Sequence, residues 1–329
     1  MDTAKRSPNL RRPIIRFFNA AVLAVLIVTC KFPSEEQAKS ILFCCAVPDH
    51  ALPQPSGEFS MSTYITTVYG DKLFCFNHNY FCSSGDAISW DTIYSYGDID
   101  PENVLTFKDS LWILNHGGAM LYASMDGRNW NGRSVPFGTR IGAGFVVHGE
   151  KLLLIGGSLI DSSNISRGAQ NDVWSSGDGS HWERICASAP FAPRTDFGVA
   201  SFDGKVWVVG GYITTNTIND VWCSEDGAQW QNIAAHAAFS ARSNAPLVCY
   251  HGRLWLFGGE STNESSGNEV WSTLDGGQWR FEGKANYSER RNAAVEVFGD
   301  RIWVFGGRNN YSQLINDTWF HDDAITTCK

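Results

Sequence analysis

The stretch KVWVVGGYITTNTINDVWCSEDGAQW occupies residues 205–230. It begins with an unbroken apolar run, Val206 to Val209, which ends at the pair Gly210-Gly211. A strand with apolar side chains on both faces is covered by another layer on each side, whereas a half-exposed strand alternates apolar and polar residues. The Asp226-Gly227 pair before Trp230 is typical of a hairpin turn, because glycine accepts positive φ. The stretch therefore predicts short strands packed between two neighbouring layers.

Three landmarks of this stretch recur in phase along the chain. Gly-Gly pairs that follow an apolar run stand at 156–157, 210–211, 258–259 and 306–307, with steps of 54, 48 and 48 residues. Tryptophans that close the unit, each with an Asp four residues earlier, are Trp90, Trp130, Trp182, Trp230 and Trp279. Asparagines that precede a further Trp by three residues are Asn171, Asn219, Asn268 and Asn316. This period indicates a repeat fold rather than several unrelated domains.

Each unit is predicted to contain four strands. In the unit from about 191 to 238 the predicted strands are 197–202, 205–209, 220–224 and 229–233. Six units begin near residues 58, 98, 139, 191, 239 and 287. The first two are degenerate, since Asn77-His78 and Asn115-His116 replace the Gly-Gly pair.

The Gly-Gly pair after an apolar strand, the downstream Asn-Asp-Val-Trp and the closing Trp together resemble the kelch repeat, over about residues 58 to 325. The Ser-x-Asp-Gly-x-x-Trp hairpin from Ser224 to Trp230 is similar to that of bacterial kelch and galactose-oxidase-like propellers. The resemblance implies an all-β fold, a six-bladed β-propeller of kelch type with four antiparallel strands per blade. It implies little about function, because propellers host many activities.

The chain is predicted to have three parts. Residues 1–31 resemble an export signal or membrane anchor, because Lys5 and several arginines precede the apolar run Phe17 to Cys30. A disordered tail or a mispredicted start is the alternative. Residues 32–57 form a linker that could contribute a closing strand, and 58–329 form the propeller. We therefore expect an exported protein that is secreted, periplasmic or membrane-anchored, with membrane contact only through the N-terminal segment.

The last unit lacks its closing Trp, since Thr327 stands at that position. An open sheet edge invites aggregation, so another segment should cover it. The apolar stretch Ser40 to Val47 is a candidate, and it would bring Cys44 or Cys45 close enough to Cys328 for a disulfide. The alternative is that 40–47 belongs to the export segment and that the last blade has a short outer strand.

The formal net charge of -8 argues against a nucleic-acid-binding protein, which needs a basic face. The nine cysteines include no CxxC pair, so a zinc site is not expected. P-loop and nucleophile-elbow motifs are also missing from the sequence. We therefore predict no cofactor, no metal and no catalytic residues.

Candidate functional residues occupy three repeat-equivalent positions. A ring of arginines precedes the first strand of units three to six, where the kelch pattern commonly has Arg: Arg140, Arg194, Arg242 and Arg290. Because the planar guanidinium has five donors and can bridge two chains, we expect these arginines to bond carbonyls of an adjacent blade near the channel. Residues two positions after the arginines, and residues directly after Gly-Gly, vary between units as ligand contacts should. The predicted ligand-binding residues at the channel mouth are Asp196, Asn244, Asn292, Ser158, Tyr212, Glu260 and Arg308. They could also be solvated loop residues. His78 and His116 could form a polar pair at the channel.

The predicted function is that of a binding or scaffold module with a protein or glycan partner at the channel mouth. The alternative is a carbohydrate-active enzyme related to sialic-acid epimerases or sugar oxidases. A copper sugar-oxidase site needs two Tyr, a Cys and two His at one metal, and no such set can be assigned here. A sialidase needs three arginines around a carboxylate, which the arginine ring could imitate.

Overall fold

Six β-sheets of four or five strands follow one another along the chain, one for each predicted repeat. The computed structural model describes residues 40–47, 64–76, 81–93, 99–116, 119–161, 163, 165–261 and 267–323. The predicted export segment 1–31, most of the linker and the C-terminal Cys328 lie outside these ranges. In the described part of the chain, no helix has the length and apolar character needed to cross a membrane.

The strands are numbered in chain order, and the six sheets are called blades 1 to 6. Two N-terminal strands come first: β1 (Ser40–Ile41) and β2 (Cys44–Val47). Blade 1 is built from β3 (Ile65–Tyr69), β4 (Lys72–Phe76), β5 (Phe81–Ser84) and β6 (Asp91–Ile93). Blade 2 is built from β7 (Pro101–Phe107), β8 (Ser110–Asn115), β9 (Met120–Ser124) and β10 (Asn131–Ser134). Blade 3 is built from β11 (Thr139–Ile141), β12 (Gly144–His148), β13 (Lys151–Ile160), β14 (Ser166–Ser176) and β15 (Glu183–Cys186).

The second half of the ring repeats the pattern. Blade 4 is built from β16 (Gly198–Phe202), β17 (Lys205–Ile213), β18 (Asn216–Ser224) and β19 (Gln231–Ala234). Blade 5 is built from β20 (Leu247–Tyr250), β21 (Arg253–Phe257), β22 (Glu269–Thr273) and β23 (Arg280–Ala285), with β1 added at its edge. Blade 6 is built from β24 (Ala294–Phe298), β25 (Arg301–Phe305) and β26 (Thr318–His321), with β2 as the outer strand.

The unbroken apolar run of each second strand is explained by its two neighbours. In β17, Val206 and Val208 pack with residues of blade 3, whereas Trp207 and Val209 pack with residues of blade 5. Successive side chains of a strand point to opposite faces, so both faces of β17 are buried. The same alternation gives one apolar cluster between every pair of adjacent blades.

The ring is closed between blade 6 and blade 1. Trp303 and Phe305 of β25 share a buried cluster with Leu73 and Cys75 of β4. Blades 1 to 6 therefore account for six interfaces, and the predicted all-β, six-bladed β-propeller is confirmed.

Two details of the blades differ from the prediction. Four strands per blade holds for four sheets, but blade 3 also contains β11 and blade 5 contains β1, which runs parallel to β23. The second strand of blade 4 continues to Ile213 rather than ending at Val209. The ladder with β18 shifts register between Val209 and Gly211, where both glycines have positive φ, so the pair forms a bulge inside a longer hairpin.

Phe43 and β2 stand where the other blades have their closing Trp and fourth strand. Cys44 and Cys45 pair with Phe320 and Trp319 before a register shift. Gln231 and Asn232 of blade 4 pair with Cys223 and Trp222 before the same kind of shift. The aromatic rings agree with this alignment: Phe43 lies 5.2 Å from Tyr287, edge-on, as Trp230 lies 5.1 Å from Phe191. An N-terminal phenylalanine therefore replaces the Trp that the sixth unit lacks.

Cys44 is disulfide-bonded. Five cysteines of the described blades are free, namely Cys75, Cys82, Cys186, Cys223 and Cys249. The expected partner, Cys328, lies outside the described residues, so the pairing with Cys44 stays a prediction.

Candidate functional site

The arginine ring is buried and fully engaged in pairing. Arg194 has no exposed surface. Its Nη1 donates to Asp220 Oδ1 at 2.6 Å and its Nη2 to Asp220 Oδ2 at 2.9 Å, while Nη1 also reaches the carbonyl of Gly210 at 2.9 Å. The equivalent ion pairs in blades 3, 5 and 6 are Arg140–Asp172, Arg242–Glu269 and Arg290–Asp317. These guanidinium groups stabilise the frame and do not grip a ligand carboxylate as a sialidase-like site would.

The predicted partner of these arginines needs correction. The guanidinium of Arg194 does bond carbonyls, those of Ala192 and Gly210, but both belong to its own unit and not to an adjacent blade. Its charged partner is the acid of the third strand, Asp220, which is a stronger acceptor than a carbonyl. It is the backbone of Arg194 that joins the preceding blade, through Gln170 O at 3.1 Å and Gly157 N at 3.0 Å. The sequence does contain a signal for the true partner, since an acid follows each landmark asparagine. The same carboxylate of Asp220 accepts from Trp222 Nε1 at 2.8 Å.

The three residues two positions after an arginine form the inner ring: Asp196, Asn244 and Asn292. All have left-handed backbone, with φ of 56°, 53° and 52°. Blade 3 has Gly142 there, with φ of 63°. Asn, Asp and Gly are the residues that adopt this conformation most readily, so the backbone explains much of the residue choice. Neighbouring blades are linked here, since Asp196 N donates to Gly142 O at 2.9 Å and Asn244 N to Asp196 O at 2.7 Å.

The inner ring lines one end of a central cavity of about 960 Å³. Blade 2 contributes Glu102 and His116 to the same wall. His116 Nδ1 lies 2.7 Å from Glu102 Oε2, and this contact raises the pKa of the imidazole. The other Glu102 oxygen accepts from Gly142 N at 2.6 Å. The proposed partner His78 lies outside the described residues, so the predicted histidine pair is untested, and the contact that His116 makes here is with Glu102.

The four residues that follow Gly-Gly form the outer group: Ser158, Tyr212, Glu260 and Arg308. Each pairs through its backbone with the residue directly after a ring arginine. The pairs are Ile141–Ser158, Thr195–Tyr212, Ser243–Glu260 and Arg291–Arg308. The residue after the arginine directly precedes the inner ring, so inner and outer groups lie at the same end of the propeller. The structure thus places all seven predicted residues at one end of the propeller, and the three residues of the inner ring also line the cavity. Their role in ligand binding stays a prediction.

A side-chain network links the mouth of blades 5 and 6. Glu260 accepts from Asn244 Nδ2 at 2.8 Å and forms an ion pair with Arg291. Arg291 Nη2 donates to Ser312 Oγ at 3.0 Å, and Arg308 Nη1 donates to the carbonyl of Ser312 at 2.9 Å. Sequence reasoning missed Arg291, although a second arginine directly after the ring arginine is found only in this unit.

Three carboxylates, those of Glu102, Asp196 and Glu260, lie close enough to influence one another at the mouth. Burial raises the pKa of Asp196, and the nearby carboxylates of Glu102 and Glu260 raise it further, while the 2.6 Å bond from Thr195 Oγ1 acts in the opposite direction. Within the described ranges, no group of three or more His, Cys, Asp or Glu side chains is placed to hold a metal ion.

Apolar side chains project from the loops around the mouth. Ile165 and Tyr311 lie in connections between second and third strands, with 55% and 85% of their surface exposed. Tyr212 lies near the end of β17, next to the same kind of connection, and is 38% exposed. Exposed aromatic residues next to ordered polar groups are typical of contact surfaces. The opposite end of the propeller holds the Asp-Gly hairpins.

A family model matches the chain over nearly the whole ring. No curated protein matches the chain. The profile of the DUF6242 beta propeller domain matches residues 53–320, from before blade 1 into the last strand of blade 6. The chain therefore belongs to the DUF6242 β-propeller domain family.

Proposed function

We propose that this chain is an exported, kelch-type propeller that works as a binding or scaffold module, with a protein or glycan partner at the channel mouth. The observation that carries the proposal is the gathering of seven varied side chains at one end of an otherwise regular ring. The frame beneath them is rigid, because each blade is covered on both faces.

The chemistry of the mouth suits a partner surface. Tyr212 and Tyr311 offer large, amphipathic area at low conformational-entropy cost. The Asn244–Glu260–Arg291 network holds polar groups in place before a partner arrives. Preorganised groups of this kind lower the cost of association.

The finer parts of the proposal have separate support. Kelch type is supported by the Gly-Gly bulges and by the arginine–acid pairs that recur in blades 3 to 6. Export is supported by the basic segment and apolar run within residues 1–31.

A photo-crosslinking amino acid at Tyr212 tests the mouth as a protein-binding surface. The matched control is the same amino acid at Met125, which is 74% exposed in a hairpin turn at the opposite end. We expect defined adducts from position 212 and none from position 125. A glycan array probed with wild type, with Y212A/Y311A and with M125A tests the glycan alternative. Two outcomes together would refute the proposal: equal crosslinking from positions 212 and 125, and equal glycan binding by Y212A/Y311A and M125A.

A further inference from the structure

Glu296 departs from the repeat at a position inside the channel. It pairs with Trp303, three residues before the Gly-Gly pair of blade 6. The residues at the same ladder position of blades 1 to 5 are Thr67, Leu105, Val146, Ala200 and Val248. Four of these are apolar and one is a threonine, so the propeller frame has no need of a carboxylate at this level.

Among the described residues, the carboxylate of Glu296 has no counter-charge. It lines the central cavity, and its Oε1 accepts only from Val297 N, at 3.1 Å. No cationic side chain of the described residues lies within ion-pair distance of it. Burial raises the pKa of Glu296 to about 7. Four residues earlier on the same wall, Asn292 Oδ1 is buried without a hydrogen-bond partner.

We propose that the central channel binds an organic cation, an amine with an apolar body, and that Glu296 is its counter-ion. This inference rests on the proposed function, since the ligand enters through the mouth. The described cavity wall carries the carboxylates Glu102, Asp196 and Glu296 against one imidazole, His116, and this charge repels anions. A carboxylate that is shielded from water and lacks a counter-charge is stabilised most by a cation that binds beside it.

The wall around Glu296 selects the body of the ligand. The cavity lining as a whole includes many apolar residues, among them Val104, Val199 and Val248. Such a surface contacts an alkyl or aryl group well and offers few hydrogen bonds to a sugar. An inorganic cation would need several ligands, and the described residues provide no such group.

Calorimetric titration of the full chain with hexylamine tests the proposal, with hexan-1-ol and hexanoate as neutral and anionic probes of the same length. At pH 8 we expect hexylamine to bind and hexanoate to fail. E296Q should lower the affinity for hexylamine at least tenfold and leave that for hexan-1-ol unchanged. E150Q, at an exposed surface glutamate, is the matched control and should behave as wild type. Equal hexylamine affinity in E296Q and wild type, or no binding to wild type, would overturn the proposal.

The pH dependence gives a second readout. Protonation of Glu296 competes with the amine, so wild-type affinity should fall about tenfold from pH 8 to pH 6. Tyr64, Glu102, His116, Asp196 and Cys249 also line the cavity, and the flatter profile expected for E296Q isolates the part due to Glu296. E296V, which restores the residue type of blades 3 and 5, should lose hexylamine and keep hexan-1-ol even if E296Q folds poorly. Failure of these titrations together with specific adducts at position 212 would refute the amine site alone.

Discussion

Single side chains explain much of the frame, and the pair of Arg194 with Asp220 is representative. Both groups are largely removed from water, and two parallel hydrogen bonds join them. A buried pair adds little net stability compared with apolar residues, but loss of one partner leaves an uncompensated charge. The arginine ring therefore makes the blades intolerant of single substitutions at this position.

We predict that R194L lowers the free energy of unfolding by about 3–5 kcal/mol, because Asp220 then keeps its charge without a counter-charge. The control is R167L, whose partner Asp161 forms an ion pair at the exposed surface, and the expected loss is below about 1 kcal/mol. Urea unfolding of both variants measures the difference. Similar losses in the two variants would contradict the structural role of the ring.

Glu296 predicts a specific pH dependence of stability. Its pKa is about 7 in the folded protein and near its ordinary value of 4.5 when unfolded, so folding favours the protonated form. The resulting stability is complete below about pH 4.5 and is lost as pH rises through about 7, with a total near 3 kcal/mol. We expect the difference in unfolding free energy between E296Q and wild type to move in favour of E296Q over this range. A constant difference from pH 4.5 to 8 would show that Glu296 titrates normally.

At the scale of elements, the Asp-Gly hairpins are self-contained turns that also pack against the preceding blade. In blade 4, Asp226 Oδ1 accepts from the backbone N–H groups of Ala228 and Gln229, both at 2.8 Å, as the sequence predicts for the turn. Ser224 Oγ accepts from Gly227 N at 2.8 Å, and Trp230 Nε1 donates to the Gly227 carbonyl at 2.9 Å. The backbone of Gly227 is thus held by two side chains of the hairpin: Ser224 accepts from its N–H, and Trp230 donates to its carbonyl.

Gly276, the equivalent glycine of blade 5, tests the docking. Its φ is +70°, and a Cβ there would lie 1.9 Å from Cζ3 of Trp207 in blade 4. Gly252 has φ of +69° and no atom within 4 Å of the same point. We expect G252A to cost about 1 kcal/mol for the backbone alone, and G276A to cost a further 1–3 kcal/mol as Trp207 is displaced. Thermal unfolding separates the two, and equal costs would mean that the blades do not meet at this turn.

The whole molecule depends on closure of its ring by the N-terminal segment. Phe43 is buried among Phe257, Tyr287 and His321. Its backbone N–H donates to Asn286 Oδ1, and its carbonyl accepts from Asn286 Nδ2, both at 2.8 Å. These contacts fasten β2 as the outer strand of blade 6. In the described part of the chain, this strand comes from the N-terminal segment and not from the sixth unit.

We predict that F43A lowers the free energy of unfolding by about 3–5 kcal/mol, as loss of a large buried ring does elsewhere. F43W should cost less than about 1.5 kcal/mol, because it restores the residue of blades 3 to 5 at this position. Tyr311→Ala, at a ring that is 85% exposed, is the control and should leave stability unchanged. If F43A behaves like Tyr311→Ala in urea unfolding, the N-terminal segment does not close the ring.

The disulfide of Cys44 is predicted to join the two ends of the propeller through Cys328. Peptide mapping by mass spectrometry without reduction should recover a Cys44–Cys328 peptide, and C328S should lower stability by about 4 kcal/mol in the chain-entropy model. C249S removes a free, exposed thiol and serves as the control. Recovery of Cys44 bonded to Cys45 instead would contradict this closure.

The sequence by itself determined the six blades and the repeat positions of the candidate residues, because both depend on motifs that recur within about 50 residues. The acid partner of each ring arginine was visible beside its landmark asparagine, although we assigned the arginine to another acceptor. Only the tertiary structure decided that Phe43 takes the place of a missing Trp and that Glu296 lies in the channel without a counter-charge. The ion pair between Glu260 and Arg291 is a third feature that only the tertiary structure decided. These contacts join different blades or opposite ends of the chain, and no local pattern specifies which distant side chain a closed ring will bring into reach.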